Sequence, residues 1–251
     1  NAEGLLVPVD SYNNYQLSPR LIEEYWNKYT RGILIASPAN PTGSVLSQNE
    51  TKKLWDVVQD KGGVVIVDEI YQGLIYGGTD SSSVLAQLPE AIVVNSFSKY
   101  FGMTGCRLGW VVIPAAIAKQ LEKLAQNFFI CPSAIAQEAA LNAFEPESIA
   151  TMEIQKQKLA ARRDYLVPAL KALGFEIPLM PGGAFYIYAG LPISAPEAEE
   201  FCIRLLEEHF VAVTPGTDFG FYKSSRFVRF SYAQNLSRLE EAVNRIGAML
   251  K

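Results

Sequence analysis

The chain has 251 residues, of which 49% are hydrophobic and 19% charged, and its formal net charge is −4 at pH 7. This length is sufficient for a hydrophobic core and for one or two domains. The acidic balance argues against a surface for nucleic acid or for an anionic membrane, and no apolar run in the sequence is long enough to cross a bilayer.

The histidine and cysteine content limits which catalytic mechanisms and metal sites the sequence can support. The single histidine has no partner pattern, so neither histidine-based catalysis nor a metal site is predicted. The three cysteines, Cys106, Cys131 and Cys202, lack metal-like spacing. They fit a reducing cytoplasm, in which each thiol is expected to be a small buried apolar group.

Strands and helices alternate through the first half of the chain. The predicted elements are a strand at 5–9, a helix at 19–29, a strand at 32–36, a helix at 48–60, and strands at 64–67, 91–94 and 108–113. Ser18 and Ser47 are the expected N-caps, and Glu50 completes an S-x-x-E capping box with Ser47. This alternation predicts an α/β fold with a mostly parallel sheet flanked by helices.

The second half of the chain is first helical and then mixed. The predicted elements are helices at 115–130, 132–144 and 147–173, a segment at 175–191 with a turn at 181–183, a helix at 195–210, strands at 211–213 and 227–232, and a helix at 236–250. Gly174 is the expected C-cap of the long helix. Because such a helix can connect two domains, we expect a larger domain at 1–155 and a smaller α+β domain at 156–251.

Three of the predicted strands are followed by polar clusters near their carboxyl ends: Asn40, then Asp68 with Tyr71, then Ser96 with Lys99. In a parallel sheet these ends share one edge, which is where open α/β sheets place their ligands. The sequence therefore predicts a site at this edge.

The segment 96–109 combines an amine with groups that suit phosphate. Ser96 and Lys99 follow a strand, and Arg107 follows a glycine-containing loop. Hydroxyl groups, loop amides and a guanidinium bind phosphate oxygens, and a lysine amine can form a Schiff base. Pyridoxal 5'-phosphate (PLP) needs both features, although Lys99 taken alone would be interpreted as a surface lysine.

Position by position, this segment resembles the lysine-attachment signature of fold-type I, class I/II PLP-dependent aminotransferases. The resemblance implies that Lys99 carries PLP as a Schiff base and that Ser96 and Arg107 bind its phosphate, with Ser98 as a further phosphate contact. It also implies that 1–155 is the large domain of the PLP-dependent transferase fold. Because the family has a long portion before the segment that matches Asn1, the chain is expected to lack the N-terminal third.

Two further motifs support the same resemblance. Asp68 follows four β-branched residues, where a carboxylate is poorly hydrated unless it is paired. The run 68–71 resembles the family motif in which the aspartate pairs with the pyridine nitrogen of PLP and the tyrosine binds its phenolic oxygen. Asn40 begins an N-P-x-G string whose asparagine, by the same resemblance, contacts that oxygen. Without the family, Asp68 and Asn40 would be interpreted as turn residues.

Arg229 lies in the predicted strand 227–232, on the face opposite its apolar side chains. By resemblance, Arg229 holds the substrate α-carboxylate through a two-pronged contact, and Asn40 is the second substrate-binding residue. Arg226 is interpreted as an exposed strand arginine. The pair Phe185-Tyr186 lines the substrate pocket or packs in the core.

The resemblance implies an aminotransferase that moves an amino group between an L-amino acid and a 2-oxo acid through the Schiff base on Lys99, with Asp68 and Tyr71 also catalytic. A cytoplasmic homodimer in amino acid metabolism is expected, with neither nucleic acid nor membrane as a partner. Three alternatives stay open: a PLP-dependent lyase or decarboxylase of the same fold, an aminotransferase-like cofactor-sensing domain of a transcription regulator, and an inert fragment.

Overall fold

The computed structural model describes residues 3–78 and 82–251, and they form two compact units. The first unit contains 3–7, 16–38 and the described part of 45–156, and the second contains 8–15, 39–44 and 157–251. The division falls within one long helix. The domains 1–155 and 156–251 stay a prediction, because compactness does not show that either part folds independently.

The first unit is built on a four-stranded sheet. Its strands are β1 (Gly32–Ala36), β2 (Val64–Asp68), β3 (Ile92–Ser96) and β4 (Gly109–Val112), in that spatial order. Strands β1, β2 and β3 are parallel, and β4 runs antiparallel to β3. The predicted mostly parallel sheet is therefore confirmed.

The helices that begin in this unit are α1 (Pro19–Tyr25), α2 (Gln48–Asp60), α3 (Ala115–Phe129), α4 (Ala134–Leu141) and α5 (Pro146–Ala172). Their N-termini follow from local chemistry: Ser18 Oγ accepts from the Leu21 N–H, and Ser47 forms the predicted capping box with Glu50. Helix α1 was predicted to extend to residue 29. It ends at Tyr25 because Trp26 is extended and packs against the apolar core.

One face of this sheet carries the core of the first unit. Its buried members come from α1, the loop before α2, α2 and the strands: Ile22, Ile35, Leu46, Leu54, Val58, Val65, Val67 and Val93. Burying each such side chain contributes roughly 1.5–3 kcal/mol. Strand residues alternate between faces, so Leu34, next to Ile35, is 71% exposed.

The predicted strand at 5–9 is wrong, because the described residues 3–10 form neither strand nor helix. Its apolar residues and Pro8 suggested an edge strand, but a strand exists only where a neighbour supplies backbone hydrogen bonds. No β pairing is found for this segment among the described residues.

The second unit holds a three-stranded antiparallel sheet. Its elements are β5 (Tyr186–Gly190), α6 (Ala198–His209), β6 (Thr214–Pro215), β7 (Phe227–Ser231) and α7 (Leu236–Met249), with the strands in the order β5-β7-β6. Gly174, at φ +89°, follows α5 as predicted. The strand predicted at 211–213 is instead at Thr214–Pro215, because pairing with β7 sets its position.

The three thiols differ in exposure: Cys202 is buried, Cys106 is half-buried and Cys131 is exposed. The expectation that every cysteine is buried is therefore wrong for Cys131, which lies in the connection between α3 and α4. In the part of the chain that the structure describes, no helix combines the length and apolar character needed to span a bilayer.

Candidate functional site

Ser96, the last residue of β3, is hydrogen-bonded to Ser98 in the loop that follows. Ser96 Oγ donates to Ser98 Oγ at 2.9 Å and lies 3.0 Å from the Leu108 carbonyl, and the Ser98 N–H donates back to Ser96 Oγ at 3.0 Å. Ser98 is buried, while Ser96 is half-buried. The two serines predicted to bind phosphate therefore lie side by side.

Arg107 lies at the end of the same loop, two residues before β4 begins at Gly109. The Phe97 N–H donates to the Leu108 carbonyl at 3.1 Å. This hydrogen bond places Phe97, which follows Ser96, beside Leu108, which follows Arg107. Arg107 is exposed and has a left-handed backbone at φ +50°. Its Nη1 donates to the Thr104 carbonyl at 3.0 Å, which engages one of the five N–H groups of the guanidinium.

Lys99 and Tyr71, which follow neighbouring strands, are brought together. The Lys99 Nζ lies 5.6 Å from the centroid of the Tyr71 ring, within the range of a cation–π contact. Tyr71 is only 4% exposed, so its ring is a fixed surface beside the amine.

Asp68 is the last residue of β2, and the register pairs it with Ala36 on one side and Val94 on the other. Its Oδ1 accepts the Ile70 N–H at 2.9 Å. The carboxylate therefore supports the turn that leads to Tyr71, as the turn interpretation expected. Asp68, Tyr71 and Lys99 all lie at the carboxyl-end edge of the parallel strands.

Glu69 is a buried acid that sequence reasoning did not single out. It is 3% exposed, and its Oε1 accepts the Val84 N–H at 2.7 Å. Burial raises the pKa of its carboxyl above the ordinary value, against the opposing effect of hydrogen bonds from Val84 and Ser83. A second acid directly after Asp68 was the signal that could have drawn attention to it.

In the second unit, Arg229 and Asn40 are brought together, although 189 positions separate them in sequence. Arg229 Nη1 donates to Asn40 Oδ1 at 2.8 Å, and Nη2 donates to Thr214 Oγ1 at 3.2 Å. The two residues predicted to bind substrate are therefore direct partners. Thr214 was missed, because the strand that contains it was predicted three residues too early.

Two aromatic rings flank the Arg229 guanidinium. Its Cζ lies 4.3 Å from the centroid of Tyr186 and 4.7 Å from that of Phe219. Arg229 Nε is buried and has no hydrogen-bond partner among the described residues. Such a donor is costly to bury without an acceptor.

Arg226 is not the exposed strand arginine that the sequence suggested. Its guanidinium is half-buried and donates to the backbone carbonyls of Leu191, Pro192, Ala195 and Pro196 at 2.7–3.5 Å. These contacts give Arg226 a structural role and distinguish it from Arg229.

The side chains gathered in the first unit fit the chemistry of PLP. Lys99 offers an amine for the aldehyde, Ser96 and Ser98 offer hydroxyl groups, and Arg107 offers a guanidinium for phosphate. Asp68, at the end of the adjacent strand, offers a carboxylate for a protonated ring nitrogen. These residue types therefore fit the aldehyde, the phosphate and the ring nitrogen of PLP.

Comparison with known proteins identifies the family of the chain. The family model for aminotransferase class I and II matches residues 2–246. The valine–pyruvate aminotransferase of Mycobacterium tuberculosis is 36% identical over 99% of this chain and 64% of its own length. The (5-formylfuran-3-yl)methyl phosphate transaminase of Methanocaldococcus jannaschii is 35% identical over 91% of this chain and 60% of its own length.

A crystal structure of an aminotransferase from Mycobacterium tuberculosis matches with a TM-score of 0.91 and 36% identity, over 97% of this chain and 63% of that one. The chain thus spans less than two thirds of the length of these relatives. Sequence and structure agree over nearly all of it, and the chain therefore belongs to the class I and II aminotransferases.

Proposed function

We propose that this chain carries the Lys99 attachment site of a PLP-dependent aminotransferase, which moves an amino group between an L-amino acid and a 2-oxo acid. The observation that supports this most directly is the Lys99 amine, 5.6 Å from the Tyr71 ring centroid, on the loop that holds Ser96, Ser98 and Arg107. Membership of the aminotransferase family supports the same reaction class.

PLP would be held by side chains with separate tasks. Lys99 would bind it covalently, while Ser96, Ser98 and Arg107 would bind its phosphate. Asp68 would keep the ring nitrogen protonated, and Tyr71 and Asn40 would donate to the phenolic oxygen, as the family resemblance implies. When bound, PLP supplies an electron sink for the negative charge that develops at the substrate Cα.

The chain's own residues would then handle the substrate and the proton. Arg229 would hold the α-carboxylate, with its guanidinium oriented by Asn40 and Thr214 at 2.8 Å and 3.2 Å. The Lys99 amine, when it is not covalently bound, would take the proton from the substrate Cα as a general base and return a proton as a general acid. Tyr71, packed beside the amine, would limit the positions that Lys99 can reach.

Replacement of Lys99 tests this proposal in the protein produced from its complete reading frame. Lys99→Ala should abolish both amino-group transfer and the visible absorbance of covalently bound PLP. Lys61→Ala is a matched control, because the Lys61 Nζ also lies near an aromatic ring, at 6.0 Å from Trp26, but far along the chain from the loop. Retained transfer activity in Lys99→Ala would refute the assignment.

The substrate pair is best identified with a panel of amino donors. The names of the relatives range from a valine–pyruvate aminotransferase to a transaminase of a furan phosphate, so the family does not select one donor. Transfer to pyruvate or 2-oxoglutarate supports the proposal, whereas release of ammonia or carbon dioxide indicates a lyase or decarboxylase. We also propose a cytoplasmic homodimer, supported by the family resemblance and by three free thiols.

A further inference from the structure

Arg229 shares one face of the second unit's sheet with a group of polar and aromatic side chains. The antiparallel register places Tyr188 on β5 and Thr214 on β6 directly opposite Arg229, and residues opposite each other project from the same face. Tyr186, two residues from Tyr188, is on that face as well. The other face of β7 carries the buried apolar residues Val228 and Phe230. The guanidinium of Arg229 therefore lies on the polar and aromatic face.

Phe219 covers the guanidinium from outside the sheet. It is the last residue of the short 3-10 helix Gly216–Phe219, which directly follows β6. With its centroid 4.7 Å from Arg229 Cζ, against 4.3 Å for Tyr186, it completes a pair of rings around the charged group. Both distances lie within the ~6 Å range of a cation–π contact.

Hydrogen bonds restrain only one end of the guanidinium. Nη1 and Nη2 are engaged by Asn40 and Thr214, whereas the buried Nε has no acceptor among the described residues. The Tyr186 and Phe219 rings lie against the centre of the guanidinium and so add to these two hydrogen bonds in restricting how its plane can tilt. A bidentate contact with a carboxylate depends on this plane, because the two N–H groups must point along parallel lines.

We propose that Phe219 is a positioning residue for the substrate carboxylate: with Tyr186 it clamps Arg229 in the plane from which the guanidinium binds. This inference rests on the proposed function, in which Arg229 is the carboxylate-binding residue. Tyr186 is set by its strand, so Phe219 is the member of the pair that a local change can remove while β5 and β7 stay paired.

Phe219→Leu removes the ring, and Phe227→Leu is the matched control. The Phe227 ring stacks on Tyr188 at 4.9 Å, so its loss perturbs the same aromatic cluster without removing a ring from the guanidinium. In the complete PLP-loaded protein, Phe219→Leu should raise the KM for the amino acid and for the oxo acid about 2- to 10-fold. The kcat at saturation and the visible absorbance of bound PLP should stay unchanged.

Direct binding of a carboxylate supplies a readout that does not depend on turnover. Pentanoate has a carboxylate but no amine to react, and its Kd can be measured by calorimetry. The Kd should rise by the same factor as the KM in Phe219→Leu, and Phe219→Tyr, which keeps a ring, should restore both. If Phe219→Leu does not fold, Phe219→Met replaces it, because methionine keeps a similar volume without an aromatic face.

Equal changes in KM and Kd for Phe219→Leu and Phe227→Leu would overturn the clamp, since they would show a general packing effect. The variant Arg229→Ala separates this failure from a failure of the proposed function. If Arg229→Ala leaves both constants unchanged, Arg229 is not the carboxylate-binding residue. If Arg229→Ala raises both the KM and the Kd, and Phe219→Leu raises neither, only the proposed role of Phe219 is wrong.

Discussion

Replacing Arg226 by alanine should strongly destabilise the second unit while leaving substrate affinity largely intact. Its guanidinium donates to four backbone carbonyls of the segment 191–196 and so ties this segment to the beginning of β7. The two shortest contacts, to Pro192 at 2.7 Å and Ala195 at 2.9 Å, have the lengths of strong charge-assisted hydrogen bonds.

The magnitude follows from how many of these contacts are fully formed. Hydrogen bonds to a charged group contribute about 1.5–3 kcal/mol each, but carbonyls that become accessible to water recover part of this. Counting the two shorter bonds and allowing for rehydration gives an expected loss of about 2–4 kcal/mol in the free energy of unfolding. The exposed pair of Arg204 with Glu208, at 3.3 Å and i,i+4 spacing, should contribute only about 0.3–0.5 kcal/mol.

The assay compares Arg226→Ala with Arg204→Ala and Arg229→Ala in the same protein. Urea unfolding followed by circular dichroism gives the stability, and steady-state kinetics gives the KM for the amino donor. If Arg226→Ala is no more destabilising than Arg204→Ala, the four contacts do not stabilise the fold as reasoned. If it raises the KM as much as Arg229→Ala, the carboxylate-binding role cannot be assigned to Arg229 in preference to Arg226.

Three further predictions concern Tyr71 and the cysteines. Tyr71→Phe keeps the ring beside Lys99 but removes the hydroxyl proposed to stabilise the phenolic oxygen of PLP, so the pKa read from the pH titration of bound PLP absorbance should rise. An unchanged pKa would exclude that contact. Native protein should react with a thiol reagent fastest at the exposed Cys131 and slowest at Cys202, where burial raises the pKa to about 12. Because the unfolded chain loses the Cys202 proton first, stability should fall as the pH rises from about 9 towards 12. Cys202→Ala should reduce this fall, and an equal fall would contradict the reasoning.

Features that depend on neighbouring residues in the chain were readable from the sequence. The capping box of Ser47 with Glu50 and the strand Gly32–Ala36 were predicted at their observed positions, because side-chain caps and short β-branched runs act over a few residues. Ser96, Ser98, Lys99 and Arg107 could be grouped as candidate site residues for the same reason, since the short segment 96–107 contains all four.

Features that depend on distant partners were not readable in the same way. The segment 5–9 has the composition of a strand but lacks a pairing neighbour, and β6 is placed three residues beyond its predicted start by its register with β7. Asn40 and Arg229 were each predicted to bind substrate, but the sequence did not indicate that they contact each other.

By itself, the sequence determined the family, the parallel α/β sheet and the lysine loop, because family motifs, hydrophobic periodicity and loop chemistry are all local properties of the chain. Only the tertiary structure decided that Thr214 and Phe219 contact Arg229, that Arg226 is bonded to carbonyls of the segment 191–196, and that Glu69 is buried. Each of these follows from strand register and packing between segments far apart in sequence, which no local pattern encodes.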